Sequence, residues 1–133
     1  MEESFNSYSG EVMKRFLKPK NFGKVENPDG VGRMGNQKCG DIMEISFKLD
    51  KNKVKDKQKI KEIKFQTWGC VAAIAASDAL CELAKGKTLE QAKRITNKEI
   101  TKNLGGLPVV KLHCSVLGAG ALHKAIENYE NSC

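Results

Sequence analysis

The stretch Ile63-Lys64-Phe65-Gln66-Thr67-Trp68-Gly69-Cys70-Val71-Ala72-Ala73-Ile74-Ala75-Ala76 holds a change of periodicity that decides the fold. Up to Thr67, apolar and polar residues alternate, the period of a half-buried strand. From Val71 the spacing is helical, with Ile74, Ala75, Ala79, Leu80 and Leu83 on the inward side and Gly86 as the stop. Upstream, Met43, Ile45, Phe47 and Leu49 alternate with Glu44, Ser46 and Lys48, a second strand of the same kind. The Lys-rich segment 50–60 joins the two as a long hairpin loop, so antiparallel pairing is expected.

The remaining chain fits around this unit. Phe5, Tyr8, Val12, Phe16 and Leu17 are helically spaced, and Lys18-Pro19 ends that helix because the residue before proline avoids the helical region. Residues 19–40 contain two prolines and five glycines and read as loop with at most a short strand. Thr88 and Gln91 form a capping-box pattern for a short helix over 89–95, and Asn97 is expected to cap another at 98–103. A last helix is expected from Lys111 to Asn128, with Leu117, Ala121, Leu122, Ala125, Ile126 and Tyr129 inward, although Gly118 and Gly120 each cost it about 1 kcal/mol relative to alanine. Strands first and helices after give an α+β fold: a small antiparallel three-stranded sheet, helices packed on one face, and a long C-terminal helix.

At 133 residues the chain is expected to form one domain, 1–133, with an apolar core that needs no disulfide staples. Glu2 and Glu3 replace the basic and apolar start of a signal peptide, and the strongest apolar run, 70–76, is too short to span a bilayer. A soluble cytoplasmic protein with reduced thiols is therefore expected, and five cysteines, an odd number, do not suggest a paired framework. The net charge of +7 is concentrated in 48–64, where eight lysines meet three acidic residues. These lysines carry no interleaved aromatics and no arginine, so they read as solvated hairpin charge rather than a nucleic-acid site, with an acidic protein partner as the other use.

Three cysteines sit in settings that favour chemistry. In Cys39-Gly40-Asp41 the glycine permits a tight turn, so a thiolate and a carboxylate can face one point. The plainer alternative there is a buried cysteine beside a strand-capping aspartate. Cys70 stands at a strand-to-helix junction, where free N–H groups favour the thiolate; the plainer alternative is close packing of small residues. His113-Cys114 again marks a helix start and offers two donors side by side. Such a set can converge on one soft metal or cluster. His123 reads as a surface or boundary histidine, Cys81 as a small core hydrophobe, and Cys133 as a free thiol at a mobile end. With 30 and 43 residues between the three cysteines, and no Cys-x-x-Cys pair, the spacing suits an open site for a transferable or catalytic metal better than a structural staple.

The order and spacing of Tyr8-Ser9, Asn21-Phe22-Gly23, Cys39-Gly40-Asp41, Thr67-Trp68-Gly69-Cys70 and Leu107-Pro108-Val109-Val110-Lys111-Leu112-His113-Cys114-Ser115 resemble the IscU/NifU-type iron–sulfur cluster scaffold proteins, from about Tyr8 to Tyr129. The resemblance implies a stand-alone scaffold, not a turnover enzyme, that assembles a labile [2Fe–2S] cluster and passes it to apo iron–sulfur recipient proteins. By position Cys39, Cys70 and Cys114 would be thiolate ligands and Asp41 or His113 the fourth, with Fe²⁺ or Zn²⁺ held before the cluster forms. It further implies a cysteine desulfurase of IscS/NifS type as sulfur donor, Cys114 as persulfide acceptor, and a ferredoxin-type electron donor. Tyr8 matches the N-terminal tyrosine that the family links to persulfide reduction or scaffold association. Monomer and cluster-bridged dimer both fit; nucleic acid and membrane do not enter.

Two departures stand out. The family's chaperone-recognition motif usually reads Leu-Pro-Pro-Val-Lys; here Leu107-Pro108-Val109-Val110-Lys111 has valine for the second proline, which weakens the preset extended geometry for an Hsp70-type partner. The 50–60 connection is also longer and more basic than usual, which bears on partner contacts. The competing resemblance is to the SufU-type zinc-dependent sulfurtransferases, which accept persulfide from a cysteine desulfurase. Those relatives carry an insertion between the second and third cysteines and usually lack the histidine before the third; this chain has the short gap and His113.

Overall fold

The computed structural model describes residues 10–36, 41–51, 54, 57–67, 71–105 and 112–131, with the side chains at 36, 41, 72, 97 and 112–118 outside that description. The elements run α1 (Gly10–Leu17), β1 (Gly30–Asn36), β2 (Asp41–Leu49), β3 (Ile60–Thr67), α2 (Val71–Ala84), α3 (Leu89–Lys93), α4 (Asn97–Asn103) and α5 (Leu112–Asn131). The three strands form one antiparallel sheet in the order β1-β2-β3. Met43, Ile45, Phe47, Leu49, Ile63 and Phe65 are buried in one core with α2 and α5, as the alternation requires. The expected α+β architecture is present, including the long C-terminal helix.

Strand β1 supplies the third strand of the expected sheet and is longer than the short strand that the reading of 19–40 allowed. Seven residues, Gly30-Val31-Gly32-Arg33-Met34-Gly35-Asn36, pair fully with β2. Glycine has poor strand propensity, and its use here is tertiary. A Cβ at Gly32 would fall inside hard contact with the Ala121 carbonyl and the Ala125 amide of α5, and one at Gly30 would meet the Phe47 ring and the Ala125 carbonyl at 2.7 Å. Helix and strand approach backbone to backbone, and only small residues permit it.

Both sheet edges and the polar face are covered in part by specific bonds. On the β1 side the Asn128 amide donates to the Val31 carbonyl at 2.8 Å. On the β3 side the Asn21-Phe22-Gly23 segment makes a short parallel bridge: Phe65 N–H donates to the Asn21 carbonyl at 2.9 Å, Gly23 N–H to the Phe65 carbonyl at 2.8 Å. Such covers blunt edge-to-edge pairing. Across the polar face, Val25 N–H donates to Ser46 Oγ at 3.0 Å, and Glu44 is gripped by Arg33 at 2.6 Å. Asp29 closes the lower corner, accepting from Leu49 N–H at 2.8 Å and pairing with Lys51 at 2.7 Å. Burial raises its carboxyl, but the Leu49 amide and Lys51 outweigh that and hold it below the ordinary aspartate value.

The helices keep most of their expected bounds. α1 ends before Lys18-Pro19; expected residues 4–9 of that helix lie outside the described residues. α2 is buried around much of its circumference, through Ala73, Ala75, Ala76, Ser77, Asp78, Ala79, Leu80, Cys81 and Ala84, while Ile74 and Leu83 are only half-buried. It is a central helix rather than a one-faced one, and Gly86, at φ +85°, turns the chain after it. The Thr88–Gln91 capping box is formed. For α4 the cap is Thr96 and not Asn97: Thr96 and Glu99 satisfy each other's backbone N–H groups, a complete box one residue earlier.

Gly32→Ala is expected to destabilise the fold by about 3 kcal/mol or more, since the new methyl meets unyielding backbone, whereas Gly10→Ala, with open space at the same atom, leaves stability nearly unchanged. Urea denaturation of the two variants against the parent checks this.

Candidate functional site

Three chain segments reach one end of the sheet. β2 begins there with Asp41, opposite Asn36, and β3 ends there with Thr67, opposite Met43. α2 follows β3 after three residues and runs back along it, because its far end meets the other end of β3: Gly86 N–H donates to the Ile60 carbonyl and Ile60 N–H to the Lys87 carbonyl. α5 runs antiparallel to β1. Gly120 lies on Met34, Ala121 and Ala125 on Gly32, and Asn128 on Val31. At 1.5 Å per residue, the eight residues back to Leu112 carry the start of α5 about 12 Å beyond the Met34 contact. From Met34, β1 continues only about 7 Å to Asn36. The starts of β2, α2 and α5 thus share one end of the molecule.

The expected ligands map onto that end as follows. Asp41 is the first residue of β2, and His113 and Cys114 belong to the first turn of α5. Cys70 immediately precedes Val71 in sequence and Cys39 precedes Asp41 by two, but both cysteines lie outside the described residues, as do Tyr8, Cys133 and the Leu107–Lys111 segment. Two helices of 14 and 20 residues direct their N-termini to this end. Free N–H groups and the positive dipole end favour thiolates and other anions there. No group of three or more His, Cys, Asp or Glu stands together as a metal site among the described residues, and the side chains of the five expected ligands are not among them.

Thr67 and Ser77 brace this end from inside. The Thr67 hydroxyl donates to the Ile42 carbonyl at 2.8 Å. Ser77 Oγ donates to the Ala73 carbonyl at 2.7 Å and lies 3.1 Å from Met43 Sδ. Thr67, Ser77 and Met43 are all buried.

A buried ion network escaped the sequence reading. Arg15 on α1 donates to Asp78 at 2.8 Å and to Glu82 and Asn103 at 3.0 Å each, and its Nε lies 3.0 Å from Glu11. Asp78, 1% exposed, also accepts from the Asn21 backbone at 2.9 Å and its side-chain amide at 3.0 Å. The hydrogen bond from Arg15 holds the Glu82 carboxyl below its ordinary value, against the upward push of burial. Lys14, Lys18 and Lys20 complete the rim of a 110 Å³ cleft over this network. An aspartate in an apolar helix was the available signal, since such a charge must find a partner. Cys81, the core hydrophobe, is fully buried, and its thiol is pushed well above the ordinary value by burial and then by Asp78 and Glu82. His123 is exposed.

A sequence profile described as "NifU-like N terminal domain" matches residues 7–133. The chain belongs to that family. It is 50% identical over 122 residues to iron–sulfur cluster assembly scaffold protein IscU 1 of Archaeoglobus fulgidus, covering 92% of this chain and 76% of that one. It is 39% identical over 127 residues to the IscU scaffold protein of Haemophilus influenzae, covering 93% and 96%. Among solved structures, a Fervidobacterium islandicum protein described as an iron–sulfur cluster assembly scaffold for the SUF system superposes with a TM-score of 0.72 at 24% identity, over 92% of this chain and 98% of that one. That likeness is one of fold. In this chain that fold brings the starts of β2, α2 and α5 to one end.

Asp78→Ala is expected to cost about 3–5 kcal/mol, because it leaves Arg15 charged and largely buried without its shortest partner; chemical denaturation measures it. Cys81 is expected to stay unmodified when the native protein is treated with iodoacetamide at pH 8, and to react once the protein is unfolded, as peptide mass mapping would show.

Proposed function

We propose that this chain is a scaffold on which an iron–sulfur cluster is assembled and from which it is handed to other proteins. The observation that carries this reading is the meeting of the β2, α2 and α5 starts at one sheet end, in a chain half identical to a named IscU scaffold. Cys39, Cys70 and Cys114 supply thiolates, and Asp41 or His113 supplies the fourth donor. Clusters bound for keeping are tied by four thiolates. A carboxylate or imidazole corner is harder and exchanges more readily, which suits a labile [2Fe–2S] cargo.

The cargo is built from Fe²⁺, and the same donors accept Zn²⁺. Sulfur arrives as a persulfide on a PLP-dependent cysteine desulfurase of IscS/NifS type. The Cys114 thiolate attacks its outer sulfur, the desulfurase S–S bond breaks, and the desulfurase thiolate leaves. Reduction of each bound persulfide to sulfide takes two electrons, from a ferredoxin-type donor. Tyr8 assists persulfide reduction or scaffold association, and Leu107–Lys111 contacts an Hsp70-type chaperone less firmly than a Pro-Pro motif would. The 1–133 unit works as one domain in the cytoplasm, as a monomer or a cluster-bridged dimer. No helix among the described residues is long and apolar enough to cross a membrane. The role is that of a carrier and assembly platform rather than a turnover enzyme.

Anaerobic reconstitution with Fe²⁺, cysteine and a cysteine desulfurase, followed by visible spectroscopy, tests the reading. A [2Fe–2S] spectrum that fades as apo-ferredoxin gains its cluster is the expected result. A tightly zinc-bound protein that builds no cluster, yet accelerates the desulfurase, would instead establish the SufU-type sulfur-transfer reading. In the same assay Asp41→Ala is expected to slow release to ferredoxin several-fold; a transfer rate equal to the parent's would remove Asp41 from that role.

A further inference from the structure

Among the described residues the last registered pair of the β2–β3 ladder is Met43 with Thr67. Beyond it the two strands carry different arms of the site: β2 begins at Asp41, two residues on, and the Trp68-Gly69-Cys70 sequence follows Thr67. Across this end the Thr67 hydroxyl donates to the Ile42 carbonyl at 2.8 Å, one residue from Asp41. Thr67 is 4% exposed. A hydroxyl that is buried costs free energy unless it is bonded, and valine would fill the same volume without that cost. The threonine side chain is also stiff at χ1, so the bond sets a geometry rather than following one.

We infer that Thr67 is a positioning residue for the cluster site: its hydroxyl ties the Ile42–Asp41 start of β2 to the end of β3 from which the Cys70 arm departs. The inference rests on the reading of this end as a thiolate site. It acts as an outer-shell bond does in metal centres, through the ligand-bearing backbone and not through the metal.

The test uses the full chain and Co²⁺ as probe, titrated anaerobically and followed by thiolate-to-cobalt charge-transfer absorption. The parent is compared with Thr67→Val, which keeps shape and loses the hydroxyl, and Thr67→Ser, which keeps the hydroxyl. Ile100→Val, a fully buried α4 position, serves as a mildly destabilised control. Circular dichroism establishes that each variant is folded at the titration temperature. The expected result is roughly ten- to hundredfold weaker Co²⁺ binding for Thr67→Val, near-parental binding for Thr67→Ser, and parental binding for Ile100→Val. Parental affinity in Thr67→Val would overturn the inference. So would a loss that serine fails to rescue, or an equal loss in Ile100→Val. A parent without any thiolate-to-cobalt band would overturn the site reading itself and the inference with it, a result visible before any variant is made.

Discussion

The contact on which the rest depends is backbone against backbone, where α5 lies on β1. Gly30 and Gly32 offer no side chain, and Ala121 and Ala125 offer one methyl each. Interiors are packed densely enough that such a contact admits no insertion. It sets the height of α5 above the sheet and the level at which the helix begins. The Asn128 bond to Val31 fixes the helix along its length. The His113-Cys114 turn therefore stands where it does because of glycines some 80 residues earlier in the chain. Reach between site and scaffold is a matter of helix rise and strand rise, both invariant quantities.

A second constraint holds the other side. Arg15, Asp78 and Asn21 join α1, the segment after it, and α2, while Asn103 and Glu82 bring in α4 and the outer turn of α2. Buried ion pairs contribute little net stability compared with apolar packing, but they tolerate few alternative arrangements. Asn21 also stands at the start of the bridge to Phe65, so the network reaches the free edge of β3. The two constraints hold α5 against β1 and α1 against α2, and small residues along α2 fill the core.

Much of this was legible because it is local. Period two over Met43–Leu49 and Ile63–Thr67, the switch to helical period at Val71, and the Thr88–Gln91 box each need only neighbouring residues. A third strand was expected, but the place and length of β1 were not legible, since seven residues rich in glycine become a strand only when a helix presses on them. The α4 cap was misplaced by one residue because Thr96 forms a fuller box than Asn97. Asp78 was hidden in an apolar helix, its partners 57 and 63 positions away in sequence. For the site, motifs pointed to residue types; the backbone puts Asp41 at the start of β2 and His113 and Cys114 in the first turn of α5. The common end of those starts emerges from strand register and helix direction, which no motif encodes.

A scaffold differs from a storage site in needing donors that arrive from separate elements and leave one side open. Separate elements can shift slightly against one another, and a mixed donor set lowers the cost of release. Zinc K-edge absorption on the zinc-loaded protein tests the donor set most directly. The account expects three sulfur ligands near 2.3 Å and one nitrogen or oxygen near 2.0 Å. Four sulfurs, which would draw in Cys81 or Cys133, or a shell with fewer than three, would contradict it.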